Sequence, residues 1–244
     1  MALTSDELLY LAKLSEQTER FEDMVDAMKK FITLKQEFNV EERNLLSVAY
    51  KNCVGTRRTA WRAITSIEQK EEGKGSKNLT ILRQLKKKIE AELDFYCKEI
   101  LKFLDEILIK DASNAEAKVF FYKMKGDYYR YMAEYSSGEN LKRVSELAME
   151  SYQKAIEISE KELTSTHPIK LGLALNFSVF YYETLNEPVK ACNLAKQAFD
   201  DAIGKIEDLP EEHYKDSTTI MQLIRDNLTL WTADIQDGQD EEAQ

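Results

Sequence analysis

The stretch Lys118–Tyr131, KVFFYKMKGDYYRY, decides how the rest of the chain is read. It sets three lysines and an arginine among aromatics in a chain of formal net charge -10. At a 3.6-residue period, Phe120, Met124, Tyr128, Tyr131 and Tyr135 fall close to one stripe, so the stretch reads as a helix. Lys123 and Arg130, seven residues apart, share a face. Arg130 then stands beside Tyr131 at the edge of the apolar stripe. This helix alone leaves two readings open. It is an aromatic core helix whose cations extend to water, or it holds a cation and a phenol where they can meet a phosphate or carboxylate.

Working outward, long 3.6-period patterns dominate the 244 residues, and breakers are scarce, with 8 glycines and 3 prolines. That composition predicts an all-α chain with a sizeable core. Acidic residues outnumber basic ones 44 to 34, which argues against non-specific binding of nucleic acid or an anionic membrane. An anion site must therefore be a local basic patch. Cys53, Cys97 and Cys192 form no metal-type spacing and read as buried free thiols in a reducing compartment. The start, MALTSDELL, lacks a basic segment followed by an apolar run, and no apolar stretch is long enough to cross a bilayer. The expected setting is the cytosol, with the nucleus also open to the chain.

Nine helices are expected, joined by short loops as antiparallel hairpins. Their spans are about 4–17, 20–35, 40–70, 79–109, 115–135, 141–162, 168–185, 188–206 and 216–232. Thr4 or Ser5 with Glu7, and Asn39, mark the first and third N-termini. The segment 208–215 reads as an acidic loop. The chain is expected to form a single domain over 1–233, with 234–244 as an acidic disordered tail. The seventh helix, IKLGLALNFSVFYYETL, is apolar nearly all round and so should be central. SELAMESYQKAIEIS (Ser145–Ser159) resembles half of a tetratricopeptide unit, but no 34-residue recurrence surrounds it.

No phosphate loop, nucleophile elbow or dinucleotide fingerprint is present, and the two histidines, His167 and His213, each sit at a helix boundary without a neighbouring ligand. The expected chemistry is recognition rather than catalysis, with no metal and no cofactor. Four faces carry that reading: Lys51 with Arg58, seven apart; Arg130 with Tyr131; Asn176, which shares a face with Glu183; and Asn227 among Ile220, Leu223 and Trp231. An amide on an apolar face needs a partner, at a cost of about 1–3 kcal/mol if it has none. Each amide could bond internally or could hydrogen-bond the backbone of an extended peptide. A phosphate-independent helical scaffold and an all-α enzyme are the competing classes.

Four segments narrow the choice. RNLLSVAYKN (Arg43–Asn52), KMKGDYYRY (Lys123–Tyr131), GLALNFSVFYYE (Gly172–Glu183) and YKDSTTIMQLIRDNLTLW (Tyr214–Trp231) resemble signature segments of the 14-3-3 family, and the likeness runs from about Leu3 to Thr232. The resemblance implies a cup-shaped protomer of nine antiparallel helices, dimerising through the N-terminal helices as a homodimer or with a paralogue. Each protomer would bind phosphorylated client proteins at phosphoserine or phosphothreonine. By the same resemblance, Lys51, Arg58, Arg130 and Tyr131 would hold the phosphate. Asn176 and Asn227 would clamp the ligand main chain. Leu175, Val179, Ile220, Leu223, Leu230 and Trp231 would form an apolar wall, and Lys123 and Glu183 the polar side. Leu14, Arg20, Asp23, Leu85, Lys88, Ile89 and Glu92 would lie at the dimer interface, with Arg20 facing Glu92 and Asp23 facing Lys88. The chain departs from the family pattern at Ala60, where a regulatory serine often precedes the tryptophan, and at Leu85, where a tyrosine commonly stands.

Overall fold

The computed structural model describes residues 3–35 and 37–242, with side chains as far as 236. Among the described residues there are no strands, and nine helices follow one another. They are α1 (Ser5–Gln17), α2 (Phe21–Leu34), α3 (Val40–Glu72), α4 (Leu79–Phe103, a π-helical turn at Leu104–Leu108, then Ile109–Asp111) and α5 (Ala115–Tyr135). After these come α6 (Gly138–Glu162), α7 (Pro168–Val179 running into a π-helical turn at Phe180–Thr184), α8 (Pro188–Ile203), a 3₁₀ turn (Ile206–Asp208) and α9 (Glu211–Glu242). They form two compact units, Met1–Ser113 with α1–α4 and Asn114–Gln244 with α5–α9.

Local chemistry sets the helix starts. Thr4 and Asn39 each build a reciprocal capping box with the glutamate three residues on, Glu7 and Glu42. These pairs satisfy backbone donors that have no partner within the helix. Asn114 caps α5 by accepting from the Ala117 amide at 2.8 Å. The His167 ring nitrogen accepts from Ile169 at 3.2 Å, with Pro168 in the first helical position of α7.

In the first unit, α1 packs on α2 and α3 on α4. Met24, Met28, Phe31, Leu46, Tyr50, Leu93, Ile100 and Leu104 are fully buried. Each such side chain is worth about 1.5–3 kcal/mol of burial. The α3–α4 hairpin is apolar at one end only. There the Tyr50 hydroxyl donates to Glu99 at 3.0 Å, and Lys29 pairs with the same carboxylate at 2.7 Å. Toward the other end, Trp61 donates to Glu90 at 2.9 Å, and Glu68 takes both Arg83 and Lys86 at 2.9 Å. The basic early part of α4 thus meets the acidic end of α3.

In the second unit, Val119, Ala148, Tyr152, Ala155, Leu173, Phe177 and Phe180 form one core cluster. Leu171, Ala191, Ala195, Ala202, Met221, Ile224 and Trp231 form another. Helix α5 packs on α6 at close range because residue 126 is glycine. A Cβ there would lie 2.7 Å from the Tyr152 ring.

Four sequence expectations are corrected. Helix α9 starts at Glu211 rather than Asp216, because Glu211 and Glu212 place negative charge at its positive end. It continues past Thr232 to Glu242, into the segment expected as the acidic tail, and the Asp234 carboxylate accepts from the Tyr182 hydroxyl. Residues 243–244 of that tail lie outside the described ones. Helix α6 begins at Gly138, whose φ of +57° suits glycine, rather than at Leu141. Cys192 is only half-buried, while Cys53 and Cys97 are buried. None of the described helices is long and apolar enough to cross a membrane.

Gly126→Ala should destabilise the protein by about 1–3 kcal/mol, since a rigid ring rather than a flexible tip blocks the new methyl group. Urea unfolding followed by circular dichroism would show the lower midpoint.

Candidate functional site

The site grows from one buried acid on α5. Asp127 is 6% exposed, and Lys123 and Arg130 lie one helical turn to either side of it. The Lys123 ammonium reaches Oδ2 at 2.9 Å, and an Arg130 Nη lies 3.6 Å from Oδ1. From α6, the Tyr152 hydroxyl donates to Oδ1 at 2.6 Å. From α7, the Asn176 amide donates to the same oxygen at 2.9 Å. Three helices of the second unit therefore meet at one carboxylate.

Arg130 is itself 7% exposed. Its Nε donates to the Tyr152 oxygen at 3.2 Å, and its guanidinium lies 4.9 Å from the centre of the Tyr131 ring. The plane of the guanidinium is thus fixed by a hydroxyl, a carboxylate and an aromatic face. Such pre-orientation is what a planar fork needs to meet an oxyanion. Two cations against one anion leave this cluster with a formal charge of +1 inside a chain of net charge -10.

Burial alone would raise the pKa of Asp127, but the charges of Lys123 and Arg130 and the Tyr152 hydrogen bond outweigh it, and the net shift is downward. Burial would lower that of Arg130; Tyr152, Tyr131 and Asp127 more than offset it, so the guanidinium stays charged. The Tyr152 phenol is pushed well above its ordinary value, by burial first and by Asp127 second. None of these groups is tuned toward neutrality, as an acid–base catalyst would be. No cluster of three or more His, Cys, Asp or Glu among the described residues could hold a metal.

Other expected site residues fall into groups. Leu175, Val179 and Ile220 are half-buried against the second core cluster. Leu223 and Leu230 are 47% and 57% exposed on α9. Asn227 is half-buried, and Glu183 is exposed. Gly172 opens space beside the Lys123 stem and Ile220; a Cβ would lie 3.6 Å from the one and 4.0 Å from the other. Trp231 lies deeper than the other residues expected in the apolar wall. It is 3% exposed, with its indole stacked on Tyr182 at 4.8 Å, so it mainly supports α7 and α9. Glu183 lies in the π-helical turn that follows Asn176.

Lys51 and Arg58 lie on α3 of the first unit, Lys51 exposed and Arg58 half-buried. On the faces expected to dimerise, Leu14 and Leu85 are 39% and 49% exposed, Lys88 is exposed and Ile89 is half-buried. Within the protomer, Arg20 pairs with Asp23, and Glu92 takes Arg57 at 2.8 Å.

Tyr152 was missed by the sequence reading, which saw only the resemblance of its helix to a tetratricopeptide unit. A signal was present. Ala148 and Ala155 flank the tyrosine on one helix face, which marks a close approach to another helix.

Comparison with known proteins shows the family. The 14-3-3 protein family model matches residues 11–232. The chain is 57% identical over 246 residues to 14-3-3-like protein F of Nicotiana tabacum, covering 99% of this chain and 95% of that one. It is 58% identical over 236 residues to the checkpoint signal transducer rad24 of Schizosaccharomyces pombe, covering 96% and 87%. It is 56% identical over 244 residues to protein BMH2 of Saccharomyces cerevisiae, covering 99% and 89%. The chain belongs to the 14-3-3 family. It is accordingly a non-catalytic adaptor that binds phosphorylated proteins.

The lowered pKa of Asp127 gives a signed expectation. Its stabilising contribution is complete above its unfolded-state value, near 3.8, and is lost as pH falls through the lower folded-state value. Asp127→Asn should therefore lose stability less steeply than the wild type below about pH 4, as read by urea unfolding at stepped pH.

Proposed function

We propose that the chain binds client proteins at phosphoserine or phosphothreonine, and that Arg130 and Tyr131 receive the phosphoryl group. The observation that carries this reading is the buried, permanently charged guanidinium of Arg130, held in one plane by Asp127 and Tyr152 beside the Tyr131 ring. A phosphoryl group carries about -1.5 to -2 charge at neutral pH and three acceptor oxygens, which suits a fixed cationic fork. Lys51 and Arg58 join the phosphate set on the family motif alone. Asn176 and Asn227 clamp the ligand main chain in this reading, with Lys123 and Glu183 on the polar side.

The apolar wall is read as Leu175, Val179, Ile220, Leu223, Leu230 and Trp231. The functional unit is a dimer, formed with a second copy or a paralogue, and the exposed Leu14 and Leu85 support an interface there. Two binding surfaces on one dimer raise the effective affinity for doubly phosphorylated clients without new contacts. The proposed setting is the cytoplasm, with the nucleus also open to the chain.

Fluorescence polarisation with one labelled peptide, with and without its phosphoserine, tests the reading. The phosphorylated form should bind at least about tenfold more tightly. Lys51→Glu or Arg58→Glu should remove most of that difference while the helical circular dichroism stays unchanged. Superimposable curves for the two peptides on the wild-type protein would overturn the assignment.

A further inference from the structure

We infer that Tyr152 is a positioning residue for phosphate recognition, and that through Asp127 it ties the phosphate-reading Arg130 to the main-chain-reading Asn176. This inference rests on the phosphate site proposed above. The Tyr152 side chain is fully buried and does not reach the ligand surface. Its hydroxyl nevertheless stands between two site residues, accepting from Arg130 Nε at 3.2 Å and donating to Asp127 Oδ1 at 2.6 Å. The oxygen that receives this proton also receives the Asn176 amide at 2.9 Å.

The geometry explains why a phenol stands there. A guanidinium on a flexible stem can rotate about its last bonds. With Nε pinned to Tyr152 and an Nη facing Asp127, the direction of the fork is set before a ligand arrives. The phenol can hold that position because its ring is locked. It stacks on Phe177 at 5.1 Å, lies 5.6 Å from Phe180, and fits against α5 only because residue 126 has no side chain. Its raised pKa keeps the proton on the hydroxyl, so the group donates to Asp127 while accepting from Arg130. Arg130, Tyr152, Asp127 and Asn176 therefore form one continuous chain of hydrogen bonds across α5, α6 and α7.

Tyr152→Phe keeps the ring and removes the hydroxyl. In the full-length protein it should weaken binding of a labelled single-phosphoserine peptide about tenfold. A purely packing role is separated by a cycle with Arg130→Lys. If Tyr152 acts by aiming Arg130, the double variant should weaken binding well short of the product of the two single losses. Multiplicative losses, or a Tyr152→Phe affinity within twofold of wild type, would overturn the inference.

A second measurement does not depend on Tyr152→Phe folding. In the unliganded wild type, the Arg130 Nε–H resonance, assigned by its absence in Arg130→Lys, should exchange slowly with solvent. Rapid exchange would overturn the inference. If the wild type fails to distinguish the phosphorylated peptide from its unphosphorylated twin, the phosphate site itself falls instead.

Discussion

A carboxylate removed from water has to be met by donors, and in this chain Asp127 is met by four groups from three helices. Left unpaired, a buried charge of this kind would cost several kcal/mol. The helices that supply the donors are therefore constrained together. Helix α6 must bring Tyr152 against Gly126, and α7 must turn Asn176 toward α5. Lys123 and Arg130 must be spaced about one turn either side of the acid. The site is a by-product of meeting that requirement: once Asp127 is satisfied, Arg130 and Asn176 are already oriented. In the proposed reading, Arg130 and Asn176 are oriented before a ligand arrives, which limits the ordering cost of binding.

The same logic accounts for the absence of catalytic tuning. A general acid or base works best when it titrates near the working pH. Here burial and mutual pairing drive the groups apart instead, with the acid held ionised and the phenol and guanidinium held protonated. Such a cluster can bind and aim. It has no proton in play, in keeping with an adaptor whose clients change and which itself does not.

Much of the fold can be read from periodicity and capping residues. Thr4 with Glu7, and Asn39, mark helix starts that the structure reproduces. The amphipathic pattern of α5 foretold the burial of Met124, Tyr128 and Tyr131. Less legible was whatever depends on approach between distant segments. The burial of Arg130 comes from α6, and nothing within α5 announces it. The stacking of Trp231 on Tyr182 is likewise invisible in the local pattern of α9. The hydrogen bond from Tyr182 to Asp234 on α9 joins residues too far apart in sequence for local propensity to reveal it.

The α3–α4 hairpin has a consequence for motion. One end is closed by fully buried side chains such as Tyr50 and Ile100, the other by partly or fully exposed ion pairs among Glu68, Glu72, Arg83 and Lys86. Exposed pairs contribute little and are screened by salt, whereas buried apolar contacts are not. Stability is therefore graded along the hairpin, and local opening is easier at its tip than at its base. Added salt should weaken the tip more than the base.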